Sequence, residues 1–481
     1  MLYFRTFRAG IGNEQLKLFN TLKAELADSI KPLLRPALEA TASVLGARPE
    51  DLRRSRGTQR EFVGPGKPVV DAEIFTDGRS LIVLSVQTEG SARSARGRRD
   101  SPVQQETADA THRLNLGVIG PDWEPGSLGL VKTVAQSLMA APLSPFFYAS
   151  ERFDELRGEG REPAPTPSME EIRASELLSD RFVRTLALAI KSSGGLLVRD
   201  LPKQLPPEAR ERVDELTAGL RDHGLLDSEI VVVCSKAQAQ VTRAPNRDVL
   251  VELSQKGVKC ACGRPLAEER MEEALAITDF GRALLDKARW LTILLLNELT
   301  AVRIDSSAIL VEQSVGGDEI DCLANIDGEL ALFELKDKEF NLGNAYSFGA
   351  KIGIIRPEHP IIVTTERIGN DAKEHFVRAR SAGARRDHYV TYDGRYVPYE
   401  PDEDQAEITY IEGVSNLRAG IEQFVGSIYR RDAITLLNRV LPVATMNGKD
   451  LLRAFEKKMH SPECAADRNE LPESNGVTAD G

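Results

Sequence analysis

The stretch 318–336, DEIDCLANIDGELALFELK, constrains the fold of this chain more than any other segment. Asp327-Gly328 is typical of a two-residue hairpin turn, because aspartate and glycine tolerate the positive φ angles that a tight turn requires. The turn fixes which residues of the two predicted strands face each other, and residues two apart on a strand share a face. Four charged side chains then lie on one face in two opposed pairs, Asp321 with Glu334 and Glu319 with Lys336.

The two faces of the predicted hairpin differ in polarity. The apolar face carries Ile320, Cys322, Phe333 and Leu335. On the charged face, opposed carboxylates about 5 Å apart repel each other. A divalent cation would remove that repulsion, and carboxylate oxygens suit Mg²⁺ or Mn²⁺. The alternative is an exposed polar face with a salt bridge between Glu319 and Lys336.

The spacing of these residues resembles a known superfamily. Asp321, twelve intervening residues and then Glu334-Leu335-Lys336, with an apolar strand before Glu334, is similar to the motif of the PD-(D/E)xK restriction-endonuclease-like nucleases. The resemblance covers about residues 275–385. It implies a mixed sheet flanked by helices, with Asp321 and Glu334 as metal ligands and Lys336 orienting or activating the attacking water.

Many such nucleases have a further glutamate on an upstream helix. Here Ala288-Arg289-Trp290-Leu291-Thr292 resembles the Gly-x-Trp-Leu-Glu segment of some CRISPR-associated ancillary nucleases, and Thr292 stands at the acidic position. Glu298 and Glu319 are the candidate replacements. The resemblance also suggests a basic residue on the next helix that faces the phosphate. Lys351 is a candidate for that role, with a solvated helix lysine as the alternative. Arg378, Arg380, Arg385 and Arg386 form a local basic cluster, and Arg385 and Arg386 are further candidates for binding phosphate or DNA.

Three helical segments and a strand are predicted after the proline-rich linker 158–170. The helices span 180–192, 198–205 and 207–223, and the strand ends at Cys234. This order resembles a winged-helix unit. Its third helix carries Arg210, Arg212 and Arg221 among a larger number of acids, so a structural or protein-docking role is favoured over reading of the DNA major groove.

Three cysteines follow with a spacing close to that of a structural zinc site. Cys234, Cys260 and Cys262 resemble a zinc ribbon that lacks one ligand, because Ala237 stands where a fourth cysteine would fall. One interpretation is zinc held by three thiolates and an unidentified fourth group. The other is a ribbon-like fold closed by packing, with free thiols.

Composition narrows the class of protein. The chain has 481 residues and a formal charge of −11, which argues against a protein that coats nucleic acid through bulk charge but leaves room for a local basic channel. Five cysteines are too few and odd in number for a secreted disulfide framework. The sequence has no signal-peptide core and no apolar run long enough to cross a bilayer. We expect a cytoplasmic protein that does not associate with membranes.

The predicted fold class is α/β, as a multidomain α+β chain. Six segments are predicted: an unassigned N-terminal α+β region 1–157, the linker 158–170, a winged-helix-like domain 171–233, a degenerate zinc-ribbon-like segment 234–268, a restriction-endonuclease-like domain 269–445 and a disordered tail 460–481.

The predicted function is hydrolysis of DNA phosphodiester bonds by an Mg²⁺- or Mn²⁺-dependent endonuclease, in defence against foreign DNA or in repair. RNA is not excluded as a substrate. A homodimer, or a protein partner bound through the N-terminal or winged-helix region, is expected. The alternatives are a nuclease fold retained as a catalytically idle binding or assembly module, and a winged-helix DNA-binding regulator.

Overall fold

The structure, a computed structural model, describes most of the chain. It covers residues 1–12, 63–64, 67–76, 80–88, 112–121, 144–146, 148–158, 164–315, 318–386, 389–390, 396–397, 407–440 and 447–459, with isolated positions between 14 and 43. The predicted disordered tail 460–481 lies outside these residues. None of the helices within them has the length and hydropathy of a membrane span.

The chain divides into two compact units, Met1–Glu151 with Glu422–Gly481, and Arg152–Ile421.

The first unit contains a six-stranded antiparallel sheet of order β2-β3-β4-β5-β1-β6. Its strands are β1 Tyr3–Ile11, β2 Val63–Gly64, β3 Lys67–Thr76, β4 Leu81–Thr88, β5 His112–Gly120 and β6 Ser144–Phe146. Phe7 and Phe75 are fully buried, which gives this sheet an aromatic core. The region that sequence left unassigned therefore contains a sheet of its own.

The second unit begins with four helices and a small sheet. The helices are α1 Glu151–Arg157, α2 Met169–Leu178, α3 Arg181–Ser192 and α4 Val213–Asp222, with 3₁₀ turns Val198–Gln204 and Pro207–Arg212 before α4. The sheet has the order β7-β10-β8-β9, with β7 Leu196–Leu197, β8 Leu226–Val233, β9 Gln240–Ala244 and β10 Arg270–Ile277. A further helix, α5 Arg247–Gln255, lies between β9 and β10. The three predicted helical segments and the strand after them are thus present, although the second and the start of the third are 3₁₀ turns.

The remainder of the second unit is built on a mixed five-stranded sheet of order β11-β12-β13-β14-β17. The strands are β11 Ile309–Val315, β12 Asp318–Ile326, β13 Glu329–Lys336, β14 His359–Thr364 and β17 Thr409–Glu412, and a separate pair is formed by β15 Tyr389–Val390 and β16 Tyr396–Val397. The first three strands of the sheet run antiparallel, whereas β13, β14 and β17 run parallel. The helices of this part are α6 Asp279–Leu285, α7 Arg289–Ala301, α8 Leu342–Ile355 and α9 Asn370–Arg386. Helix α10 Leu417–Val440 begins in the second unit and continues into the first, and α11 Gly448–Met459 belongs to the first unit.

The predicted hairpin register is confirmed from the turn as far as Cys322 and Phe333, whereas the predicted opposed pairs Asp321–Glu334 and Glu319–Lys336 do not belong to the ladder. Asp327 and Gly328 have φ angles of 52° and 94°, and the ladder pairs Ile326 with Glu329 and Cys322 with Phe333. The turn residues therefore set the alignment of β12 and β13, as their tolerance of positive φ requires.

A buried arginine joins the helical part of the second unit to the end of β13. Arg184 of α3 donates to the carbonyls of Leu178 and Ser179 at the end of α2, and its Nε lies 3.0 Å from Asp337 Oδ1. Its guanidinium also lies over the ring of Trp290, 4.9 Å from the centroid, and Trp290 Nε1 donates to Asp337. Asp337 follows Lys336 directly, so these contacts hold the end of the candidate catalytic strand in place.

Replacement of Arg184 by methionine is expected to lower the free energy of unfolding by about 3–5 kcal/mol, because it leaves the Asp337 carboxylate partly buried without its cationic partner. Urea denaturation measures this change. Arg181→Met is the matched control: the Arg181 side chain is 70% exposed, so its loss should change stability by no more than about 0.5 kcal/mol. Equal, small effects of both substitutions would contradict the assigned role of Arg184.

Candidate functional site

Regular pairing between β12 and β13 stops next to Asp321. The ladder runs from the turn as far as Cys322 and Phe333. Beyond it, the backbone N–H of Leu335 donates to Asp321 Oδ2 at 2.7 Å, where a continued antiparallel ladder would supply a backbone carbonyl. The carboxylate of Asp321 therefore takes the place of a ladder partner, and the two strands separate at this point.

The neighbouring ladder is interrupted at the same level. In the β11–β12 ladder, Val311 pairs with Cys322 and Gln313 pairs with Ile320, but Glu312 and Asp321 between them do not pair. Glu312 has φ = 50°, a conformation that non-glycine residues rarely adopt. Strict alternation places Ile320 on the face opposite Leu323, yet both belong to one buried cluster. The predicted alternation of faces thus does not extend through Asp321.

Glu334 is the most buried of the predicted catalytic residues, with 1% of its surface exposed. Each of its carboxylate oxygens has an ammonium partner: Lys336 Nζ lies 2.7 Å from Oε1 and Lys351 Nζ lies 2.7 Å from Oε2. Lys336 Nζ is also 4.0 Å from Asp321 Oδ2. Two carboxylates and two ammonium groups therefore meet at the point where the strands separate, with a net formal charge of zero.

Burial and mutual repulsion shape the electrostatics of this group. Burial, together with the nearby charge of Glu334, raises the pKa of Asp321 above its usual range. Burial alone would lower the pKa of Lys336, but the charges of Glu334 and Asp321, and to a lesser extent Glu319, outweigh it and raise that pKa. The site thus favours the charged form of Lys336 and disfavours the charged form of Asp321.

Lys351 reaches Glu334 because of the way α8 packs. The helix begins at a capping box in which the Asn341 and Asn344 side chains each accept from the other's backbone N–H. Its buried residues include Phe348, Lys351 and Ile355, which helical spacing places on one side. Phe348 and Ile355 pack in the cluster that contains Leu332 of β13. Lys351 is therefore a buried cation on an apolar helix face, and the solvated-lysine alternative is wrong.

The predicted candidates for a third acidic ligand, Glu319 and Glu298, have cationic partners other than Lys336 and Lys351. Glu319 is exposed and its Oε1 lies 2.6 Å from Lys287 Nζ, which lowers the pKa of Glu319. Glu298 Oε2 lies 3.9 Å from Arg418 Nε. Thr292 lines a cleft of about 180 Å³ together with Arg289, Glu171 and Glu312. Within the described part of the chain, no third histidine, cysteine or acidic side chain joins Asp321 and Glu334 in one compact group of ligand atoms.

The donor set still suits a magnesium-like cation. Mg²⁺ retains several waters and commonly binds through only one or two carboxylates, so Asp321 and Glu334 are sufficient in number. The ammonium groups on both Glu334 oxygens would compete with such a cation. The remaining basic candidates, Arg385 and Arg386, end helix α9, but their side chains lie outside the described residues.

The three cysteines of the predicted ribbon come together in space. Cys234, Cys260 and Cys262 are joined by Glu269, and the ligand atoms of these four residues all lie within 4.8 Å of one another. The cysteine pattern does not identify Glu269, because it carries no information about which acidic side chain lies beside the thiols.

Comparisons with known proteins give little further information. No protein-family model matches the chain, and no curated protein matches it. Among solved structures, the chain is similar to protein VC1899 from Vibrio cholerae, with 12% identity over 55% of this chain and 57% of that chain and a TM-score of 0.25. It is also similar to a repair endonuclease from Pyrococcus abyssi, with 12% identity over 35% of this chain and 91% of that chain and a TM-score of 0.14. The chain thus spans little more than half the length of the Vibrio protein, and at these TM-scores neither similarity supports a conclusion about function.

Proposed function

We propose that this chain is a metal-dependent nuclease that hydrolyses DNA phosphodiester bonds, with Asp321, Glu334 and Lys336 as its catalytic residues. The observation that carries the proposal is the Glu334 carboxylate, 1% exposed and bound by two lysines beside the separated strands. Burying a charge costs several kcal/mol even when it is paired. Residues whose pKa values are shifted by burial and by a specific charge partner, as those of Asp321 and Lys336 are, are candidates for a functional site.

In this proposal, Asp321 and Glu334 hold Mg²⁺ or Mn²⁺. The bound ion would supply Lewis-acid stabilisation of the phosphate and a nucleophilic water at neutral pH. Leu335 N–H orients the Asp321 carboxylate through its 2.7 Å hydrogen bond. Lys336 Nζ, held between Glu334 and Asp321, donates a hydrogen bond to the attacking water or to a phosphate oxygen and stabilises the charge that develops there.

The lysines also account for how an acidic chain would hold a phosphodiester. The formal charge of the chain is −11, but only local charge interacts with a phosphate at contact distance. The two ammonium groups balance the two carboxylates, so an added divalent cation gives the site a local positive charge. An anionic substrate and the metal would therefore favour each other's binding.

The same charge balance favours a second candidate, a catalytically idle nuclease fold that serves as a binding module. Lys336 and Lys351 neutralise Glu334 without any metal, so the fold does not need a cation to compensate this carboxylate. A winged-helix regulator is less well supported, because arginines near the third helix already have internal partners. Arg212 pairs with Asp180 and Glu215, and Arg221 pairs with Glu273.

Cleavage of supercoiled, linear and single-stranded DNA tests the proposed function directly. With Mg²⁺ or Mn²⁺, the wild-type chain is expected to cut at least one of these substrates, and EDTA should stop the reaction. Glu334→Gln and Lys336→Met should each lower the rate by at least about a hundredfold, since removal of one preorganised charge-stabilising group commonly costs that much.

Glu339→Gln provides the matched control. Glu339 lies three residues beyond Lys336 and pairs with the exposed Arg367, so its amide variant should cleave like wild type. Activity that survives in both site variants would contradict the proposal. A wild-type chain that binds metal at this site but cuts none of the substrates would favour the idle fold.

Removal of the second ammonium group should make metal binding tighter. In Lys351→Met, one Glu334 oxygen loses its 2.7 Å partner, and a charge interaction of about 4 kcal/mol at 4 Å for an effective dielectric of 20 no longer opposes the cation. We expect the dissociation constant for Mn²⁺ to fall at least about tenfold, measured by isothermal titration calorimetry. The variant should be less stable than wild type without metal and should regain more stability on Mn²⁺ addition.

Lys203→Met is the control for this experiment. Lys203 is an exposed lysine paired with Asp200 and not with Asp321 or Glu334, and its loss should leave Mn²⁺ affinity unchanged. Unaltered or weaker Mn²⁺ binding by Lys351→Met would show that Glu334 does not contact the ion.

A further inference from the structure

A second group of potential metal ligands lies in the small sheet, away from the proposed nuclease residues. The three cysteine sulfurs and one Glu269 oxygen lie within 4.8 Å of one another. A tetrahedral zinc ion with Zn–S bonds of about 2.3 Å places its sulfur ligands about 3.8 Å apart. The four atoms are therefore close enough to surround one zinc ion with only small movements.

The first turn of this group presents Cys234. The cysteine follows β8 directly, its N–H donates to Ala239 O at 2.9 Å, and Gln238 N–H donates to Cys234 O at 2.8 Å. Gln238 has φ = 55°, so the chain reverses tightly. The backbone N–H of Ala237 donates to Cys234 Sγ at 3.3 Å, the kind of hydrogen bond that stabilises a thiolate.

The second turn presents the other two cysteines. Cys260 N–H donates to Arg264 O at 2.8 Å, and Gly263 N–H donates to Cys260 O at the same distance. Gly263 has φ = 95°, which a residue with a side chain rarely adopts. This turn compensates for the unusual Cys-x-Cys spacing, because it directs both sulfurs toward Cys234.

Glu269 is placed by the sheet register and held by a serine. The β8–β10 ladder pairs Val233 with Arg270, so the next pair outward would be Cys234 and Glu269. Glu269 Oε2 accepts from both the backbone N–H and the hydroxyl of Ser235, each at 2.7 Å. Its Oε1 is left facing the cysteines and lies 2.8 Å from Cys262 Sγ. Hydrogen bonds from residues that do not themselves bind the metal, such as these from Ser235, typically orient a metal-binding carboxylate.

We propose that Cys234, Cys260, Cys262 and Glu269 form a structural Zn²⁺ site, with Glu269 as the ligand missing from the cysteine pattern. Three thiolates select a soft or borderline cation such as zinc over Mg²⁺ or Mn²⁺. Four protein ligands leave no open coordination position, which is typical of structural rather than catalytic zinc. Cys234, Cys260 and Glu269 are buried, and the structure records all three cysteines as free thiols.

The surrounding packing gives the ion a structural role. The buried core around these turns consists of Cys234, Cys260 and Leu266, with Leu253 and Cys262 packed against it. Two of the three buried residues are thus proposed ligands, and so small an apolar core gives little stability by itself. The exposed residues Lys236, Lys259 and Arg264 lie in the same turns and offset the negative charge of a zinc ion with three thiolates and a carboxylate.

Zinc content of the purified full-length chain tests this proposal. Elemental mass spectrometry should find about one zinc ion per chain, and a strong chelator should remove that ion. Replacement by Co²⁺ should give the visible absorption of tetrahedral cobalt and the near-ultraviolet charge transfer of cobalt thiolates. In Cys262→Ser and Glu269→Gln, the affinity for Zn²⁺ should fall by at least about tenfold.

Two control variants test whether loss of zinc is specific to the proposed ligands. Glu268→Gln changes the exposed neighbour of Glu269 and should retain zinc, and Glu334→Gln alters the nuclease residues and should also retain it. If the ligand variants fail to fold, alkylation of the wild-type thiols decides the question. The three cysteines should be protected with metal present and become reactive when the chelator is added.

Several outcomes would overturn the proposal. A wild-type chain that contains no zinc and gives no tetrahedral cobalt spectrum would do so. Equal cobalt spectra in wild type and Glu269→Gln would show that the carboxylate is not a ligand. A disulfide among the three cysteines, detected as a mass lower by two hydrogens without bound zinc, would replace the metal site by a covalent link.

Discussion

An unpaired carboxylate buried as deeply as Glu334 would cost the fold several kcal/mol. Both of its oxygens are paired with ammonium groups, and each partner comes from a different element: Lys336 from the same strand and Lys351 from the helix that follows. The helix must therefore pack against the sheet at a fixed rotation, with Phe348 and Ile355 in the core and Lys351 over β13. Next to Glu334, the Leu335 N–H donates to the Asp321 carboxylate at the point where β12 separates from β13.

The two proposed metal sites differ in chemistry in a way that would keep their ions apart. Asp321 and Glu334 offer hard oxygen donors next to competing ammonium groups, whereas the cysteine cluster offers three soft sulfurs and one oxygen. Hard cations such as Mg²⁺ prefer the first set and zinc prefers the second. The sites also differ in what binding would achieve. A cation at Glu334 would replace existing ion pairs, whereas zinc would supply cohesion to turns that have almost no apolar core.

The amino-acid sequence predicted those features of the fold that depend on neighbouring residues in the chain. The Asp327-Gly328 turn set the hairpin register as far as Cys322 and Phe333, and the three predicted helical segments with the strand after them are present. It did not predict features that depend on tertiary neighbours. Lys351 has the same local sequence whether it is solvated or buried, and only the packing of α8 decides between these states. The interrupted pairing at Asp321 and the conformation of Glu312 depend on three strands at once. Glu269 lies near the three cysteines because of the register of β8 and β10, which pairs the adjacent residues Val233 and Arg270.

Anomalous X-ray scattering from crystals of the full chain grown with Mn²⁺ and a short DNA duplex tests the central claim most directly. The account predicts a manganese peak bound by the carboxylates of Asp321 and Glu334, with the Lys351 ammonium displaced from Glu334 and Lys336 directed toward a phosphate oxygen. A structure with DNA bound, no manganese at these carboxylates and both Glu334–lysine pairs intact would contradict it.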